Sequence, residues 1–405
     1  MTNHLPGYHQ LWGGAETACY RLAQGLSSLG LDITVITKNP NKKIEESFKT
    51  ISIDDQWCKG LLLKAANRLI QFDYCNPILG RKVQGALKRL DPQLVHLQKF
   101  DNFSVAIIPR IKKMGLPIVA SIYDYILFCP NGLLLKEDGT SCRLFQSIQC
   151  RKCFNLVFKS YPSYRSLLQR VILKDYPHLI DHFIVLSENS SEILESYGIN
   201  KKKISIIPLP LYEAIDNSQG IQEGLIVFAG WLSYNKGLHI LLKAMPEVLK
   251  STNRAHLWVL DIGGVKSYAD QIKEFISKNG LNSKVKFLGR LPIAEVRRVL
   301  KKANIVAIPE QWENVSPLIL AEAASLGRPV VASRIGGISE FIKRKEFLAA
   351  PGDPGDFAKK IIWILENQAE AFKLAEEMRQ KAVRVFDPQT TLKAIVNLYG
   401  ELIKH

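Results

Sequence analysis

Residues 308–333 read IPEQWENVSPLILAEAASLGRPVVAS. The short apolar run that starts at Ile305 ends at Pro309. Residues 316–326 carry helical spacing, and residues 329–333 are a second apolar run. Strand, loop, helix and strand in this compass make one β-α-β unit, whose strands lie parallel in one sheet. Runs without polar alternation suit strands covered on both faces.

The same alternation extends in both directions. Further strands are expected at 225–229, 256–260 and 285–288, with helices at 237–250, 268–279 and 293–302. An earlier series has strands at 33–37, 94–97, 118–121, 183–187 and 204–208. The two series part at Pro208-Leu209-Pro210 and the Asn-, Ser- and Gly-bearing stretch 216–224, which keeps no period and reads as a linker. The expected class is α/β, with two Rossmann-like domains at 1–210 and 211–385. Residues 386–405 hold a last helix, at 389–403, that could belong to either domain and return to the first.

Composition is that of an ordinary globular chain. Of 405 residues, 47% are hydrophobic and 23% charged, which excludes disordered, collagen-like and coiled-coil classes. The most apolar window, 114–135, is broken by Pro117, Asp124, Pro130 and Asn131, so no membrane span is expected. Residues 1–10 lack the basic-then-apolar order of a signal peptide, which points to the cytoplasm. The net charge of +16 suits an anionic partner: a phosphorylated substrate, an anionic membrane surface or nucleic acid. No nucleic-acid module accompanies that charge, so nucleic acid is set aside.

Three stretches carry chemistry. Gly13-Gly14-Ala15-Glu16-Thr17 runs into an amphipathic helix, where glycines let backbone N–H groups approach a phosphate; a plain turn before a helix is the structural alternative. In residues 228–237, a buried run ends at Gly230 and a loop carries Lys236 to a helix start near Gly237. Ligands of open α/β sheets sit at such strand ends, and Lys236 there suits a phosphate, although a solvated lysine would look the same. In 308–333, Glu313 lies in the loop and Glu322 on the helix. A carboxylate can accept two hydroxyl hydrogen bonds from a sugar diol, or Glu322 could simply pair with a cation.

The ordered set of these motifs resembles the retaining, nucleotide-sugar-dependent glycosyltransferases of the GT-B fold, family 4 (glycosyl transferases group 1). The residues behind the resemblance are GGAE at 13–16, G-x-L-x-x-x-K-G at 230–237, FLGRLP at 287–292, the two glutamates with GRPVVAS at 327–333, and SRIGGISE at 333–340. The resemblance implies two domains facing a cleft, the first on the acceptor side and the second holding a nucleotide diphosphate sugar. It implies that Lys236 and the backbone of Gly13, Gly14 and Gly230 serve the diphosphate, with Ser316 at a helix start. Glu322 would take the ribose, and Glu313 or its neighbour Asn314 the transferred sugar. No metal or other cofactor is implied. The acceptor would be a saccharide or a lipid-linked precursor of a surface polysaccharide, which would bring the protein to the inner face of the membrane.

The chain departs from that family at four places. Trp231 stands where an arginine is usual, and Arg290 is the candidate to compensate. Glu313 and Glu322 are one position further apart than usual, and Asn314 stands at the usual spacing. Tyr123-Asp124 replaces a His-Asp pair; Tyr123 can donate a hydrogen bond but is no base near neutral pH. His96 is another candidate there, with a satisfied core histidine as the competing reading. Residues 1–12 contain no apolar strand ahead of the glycines, so either the chain is expected to start downstream of the natural start or its sheet lacks a central strand.

Two other features stand apart. Cys129, Cys142, Cys150 and Cys153 could hold a structural zinc, with free thiols or a disulfide as alternatives. Segments 57–90 and 155–180 mix basic and bulky apolar residues. They include Lys59, Lys64, Arg68, Lys159, Arg165 and Arg170, and suit an anionic lipid surface. A weakened donor-binding partner subunit is the alternative to an enzyme.

Overall fold

The computed structural model describes residues 1–404 except 11, 40–45, 55–74, 101–102, 137, 144–149, 151–152, 154–173 and 212–219. The chain forms two compact units, Met1–Pro210 with Pro388–His405, and Leu211–Asp387.

The first unit opens with helix α1 (Gly14–Ser28) and the parallel pair β1 (Thr34–Lys38) and β2 (Lys49–Ile53). Helix α2 (Pro77–Leu90) follows; the Asn76 side chain accepts from the amides of Ile78 and Leu79, and Pro77 presets its first turn. Then come β3 (Val95–Leu97), α3 (Ile107–Lys113), β4 (Ile118–Ser121), β5 (His182–Val185), α4 (Glu188–Ser196) and β6 (Ile204–Ile206). Strands β3-β4-β5-β6 form a parallel sheet in that order.

No strand is assigned in residues 1–10. Met1–Asn3 nevertheless runs between β1 and β3: the Thr2 amide donates to Ile36 O at 3.1 Å, and the Gln98 amide to Met1 O at 2.9 Å. The Met1 ammonium donates to His96 O at 2.6 Å. A cavity of about 750 Å³ opens beside this short bridge, lined by Leu22, Leu26, Ile33, Val35, Leu94 and Tyr399 among others. The two sheets of this unit therefore meet through three residues rather than through a full strand.

The second unit is one parallel sheet. Its elements are β7 (Leu225–Leu232), α5 (Leu238–Ser251), β8 (His256–Gly264), α6 (Lys266–Lys278), β9 (Val285–Phe287), α7 (Ile293–Lys302), β10 (Ile305–Ile308), α8 (Leu318–Ser325), β11 (Val330–Ser333), α9 (Gly336–Phe341), β12 (Leu348–Ala349), α10 (Pro354–Glu366) and α11 (Gln368–Val385). The strand order is β12-β11-β10-β7-β8-β9. Strands β10 and β11 are buried along their whole length, because helices cover both faces. Each Leu or Ile so buried contributes roughly 1.5–3 kcal/mol. The last helix, α12 (Pro388–Ile403), packs Leu392, Ile395 and Leu398 against Leu22 and Leu26 of α1 in the first unit.

The edge strands β2 and β12 were not expected from sequence. Strands β7 and β8 run past their expected ends by a few residues. Among the described residues, no helix is long and apolar enough to cross a membrane. Lys59, Lys64, Arg68, Lys159, Arg165 and Arg170 lie outside the described residues.

Candidate functional site

Three adjacent strands of the second unit, β7, β10 and β11, end on the same edge, and their loops meet there. After β7 the chain makes one 3-10 turn, Tyr234–Lys236, and enters α5 through Gly237 at φ +73°. A Cβ at Gly237 would lie 1.7 Å from the Pro309 carbonyl oxygen, so only glycine allows this approach of two backbones. The Gln311 amide donates to Asn235 O at 2.8 Å and completes the clasp. On the β11 side, Gly336 (φ +52°) fits against the Asn314 backbone, and the Gly337 amide donates to Asn314 O at 2.8 Å.

The clasp sets Lys236 opposite Glu310. The ammonium lies 2.7 Å from Glu310 Oε1, and the Glu310 side chain is only 5% exposed. Glu310 Oε2 accepts from the indole N–H of Trp312 and from Asn314 Nδ2 at 2.6 Å. The Trp312 ring centroid is 5.5 Å from the same ammonium, within cation–π reach. Asn314 Oδ1 accepts from the Ser316 amide at 2.9 Å, which fixes the approach to α8.

Lys236, Asn314 and Ser316, expected from sequence, are thus joined in one bonded cluster. Gly230 is close by: a Cβ on it would sit 3.8 Å from Lys236 Cδ. Glu313 is buried in the same loop, and Glu322 is half-buried on α8. Arg290 follows Gly289 and donates to Ile262 O; burial lowers its pKa against the pull of Asp261. Sequence reasoning missed Glu310 and Trp312. The available signal was position: Glu310 is the second residue beyond a fully buried strand end, where a side chain is delivered to the ligand edge.

In the first unit, Gly13 caps α1 and its amide donates to Glu16 Oε2 at 2.9 Å. A carboxylate of the chain itself thus occupies the Gly13 N–H, and Gly14 opens the helix. Tyr123 and Asp124 follow β4. The Tyr123 hydroxyl donates to Gln98 Oε1 at 2.7 Å, and burial raises its pKa well above the ordinary value. Asp124 pairs with Lys99 and accepts from the Ile126 amide at 3.1 Å.

His96 lies in hydrogen-bond range of Ser121 Oγ at 2.8 Å and of the Tyr399 hydroxyl on α12 at 2.5 Å. Burial first, and then the Met1 ammonium, push its pKa down to about 3. It stays neutral in a bonded network, as the core-histidine reading holds. Below the unfolded value of about 6.5 the unfolded chain binds a proton that the folded chain refuses. Stability contributed here is therefore complete above pH 6.5 and falls by about 1.4 kcal/mol per pH unit as the pH drops towards 3. Denaturant titrations from pH 7 to 5 should show this slope in the difference between wild type and His96→Gln. Equal slopes would refute the assignment.

The zinc expectation is corrected. All four cysteines are described, yet among the described residues no three His, Cys, Asp or Glu side chains stand together as metal ligands would. No disulfide joins any of the four. The Cys129 thiol donates to Asn131 Oδ1 at 3.0 Å, and burial pushes its pKa up to about 12.

Comparison with known proteins follows this division of the chain. Residues 12–211 match the family described as Glycosyltransferase Family 4, and residues 212–385 match Glycosyl transferases group 1. An uncharacterized glycosyltransferase of Methanocaldococcus jannaschii is 28% identical over 45% of this chain and 46% of its own length. An uncharacterized 42.6 kDa protein in the cps region of Klebsiella pneumoniae is 23% identical, over 81% of this chain and 83% of its own. The chain spans about half the length of the first curated relatives it matches. Anabaena HepE, solved in complex with UDP and glucose, is 17% identical with a TM-score of 0.69 over 96% of both chains, a likeness of fold.

Proposed function

The chain belongs to the GT-B glycosyltransferases of family 4, group 1, and from that premise we propose that it is a retaining glycosyltransferase moving a sugar from a nucleotide diphosphate donor to a saccharide or lipid-linked acceptor. The observation that carries this reading is the clasped loop pair at the ends of β7 and β10, with Lys236 fixed by the bonds of its own backbone. A lysine at a strand end beside a helix start is suited to a diphosphate. Glu322 would take the ribose hydroxyls, and the Glu313–Ser316 loop the transferred sugar. Gly230 and Arg290 of the same unit would complete the donor contacts.

In the proposed reaction the bond between the anomeric carbon and the β-phosphate oxygen breaks, and its electron pair stays on that oxygen. The acceptor oxygen bonds to the carbon on the same face, and its proton passes to the departing diphosphate. The protein contributes charge and placement rather than a covalent step. Tyr123 and Asp124 would serve the acceptor. Neither would act as a free base, since Tyr123 is pushed to high pKa and Asp124 is paired with Lys99. Surface polysaccharide assembly at the inner face of the membrane is the proposed setting. The net charge of +16 and the likeness to a protein of a cps region support it.

The test is a thermal-shift screen of nucleotide sugars and nucleoside diphosphates, followed by donor hydrolysis. A ligand at a hundred times its Kd stabilises the fold by about 2.7 kcal/mol, which such a screen resolves. If no nucleotide shifts the transition, the reading is lost. One specific feature favours a second reading, a donor-binding partner subunit. Trp231 replaces a cation, and Glu310 already neutralises Lys236. Binding of a donor without hydrolysis or transfer to any acceptor would favour it.

A further inference from the structure

Glu310 is held in place from three sides. Lys236 lies 2.7 Å from Oε1; Trp312 and Asn314 donate to Oε2, the latter at 2.6 Å. The pairing does not depend on two flexible side chains finding each other. The Gln311 amide bond to Asn235 O and the fit of Gly237 against Pro309 O fix the two backbones. The bonded set of Lys236, Glu310, Trp312 and Asn314 has one cation and one carboxylate, and Trp231 stands at the neighbouring position.

A ligand phosphate at Lys236 must therefore approach a buried negative charge. This acts unequally on the two ligands of a transfer reaction. When the sugar leaves, the diphosphate keeps the electron pair of the broken bond and takes up the acceptor's proton; with a second phosphate pKa of about 6 it loses that proton to solvent at neutral pH, and the product then carries one more negative charge than the donor. The repulsion from Glu310 rises with that charge. Resting on the donor reading above, we propose that Glu310 is a built-in counter-ion of Lys236 that weakens the hold on the product nucleoside diphosphate more than the hold on the donor sugar. It is a positioning residue: it acts through Lys236 and sets how readily the site is emptied.

Glu310→Gln keeps the shape and removes the charge. The expected result is a Kd for the product diphosphate about fivefold lower, the scale of one added charge at mid-range in a partly screened site. The donor KM should change less than twofold, and kcat should fall as product inhibition grows. The probes are UDP, GDP, ADP and dTDP by calorimetry, each with its glucose ester as donor. Trp312→Phe, which keeps both charges but removes one donor to Oε2, should leave the ratio of donor KM to product Kd near wild type. An unchanged ratio in Glu310→Gln, with a normal melting temperature, overturns the counter-ion role. A wild type that binds none of the four diphosphates instead overturns the donor reading.

Discussion

Lys236→Ala should weaken binding of the nucleoside diphosphate about a hundredfold and also lower the unfolding free energy by about 3 kcal/mol. The two losses have different causes. Binding suffers because a charge-assisted hydrogen bond to phosphate contributes roughly 1.5–3 kcal/mol, and no second cation stands at position 231. Stability suffers because Glu310, 5% exposed, is left as a buried carboxylate without its counter-ion. The double variant Lys236→Ala with Glu310→Gln separates them: stability should return, and affinity should recover only by the about fivefold that removal of the Glu310 charge gives. On the proposed ribose role of Glu322, Glu322→Ala should also abolish stabilisation by the nucleotide. Calorimetric titration and urea denaturation on the same four proteins check this. Undiminished diphosphate binding by Lys236→Ala would remove the basis of the proposed function.

Gly237→Ala should be the most damaging single methyl in the second unit. Its φ of +73° costs an L-residue about 1–2 kcal/mol, and the new Cβ would fall 1.7 Å from the Pro309 carbonyl oxygen. A backbone atom cannot swing away as a side-chain tip can. The loops after β7 and β10 must separate, and the Asn235–Gln311 bond goes with them. A loss of about 4 kcal/mol, or roughly 10 °C in the melting transition, is expected. Gly230→Ala is the matched control. Its nearest contact would be Phe228 at 3.5 Å, which is ordinary packing, so its melting temperature should stay within about 2 °C. Similar transitions for the two variants would show that the clasp does not hold the unit together.

The legible parts of the fold share one property. Residues 305–308 and 330–332 are apolar at every position because both sheet faces are covered, and that leaves an unmistakable run in the chain. Strand β2, Lys49–Ile53, escaped because it is a partly exposed edge with Lys49 and Ser52 facing water. β12 is two residues long and has too little pattern to read. Lys236 was legible in the site because it stands in a loop between a strand end and a helix start, and Asn314 because it stands eight positions before Glu322, the spacing usual in the resembled family. Glu310 was not, since a carboxylate in a loop looks solvated until its partners are known. The cysteines erred in the opposite direction: their spacing suggested a metal set, whereas Cys129 turns to Asn131.

Local order along the chain determined the α/β class, the parallel sheets and the loops that end on the ligand edge, because short-range periodicity reports which faces are buried. The tertiary structure alone decided that Lys236 meets Glu310, 74 residues away, and that Met1–Asn3 bridges two sheets. Those pairings follow from β10 lying beside β7 and β3 lying near β1. Sheet order of that kind comes from the packing of helices over the whole unit, and no stretch of neighbouring residues encodes it.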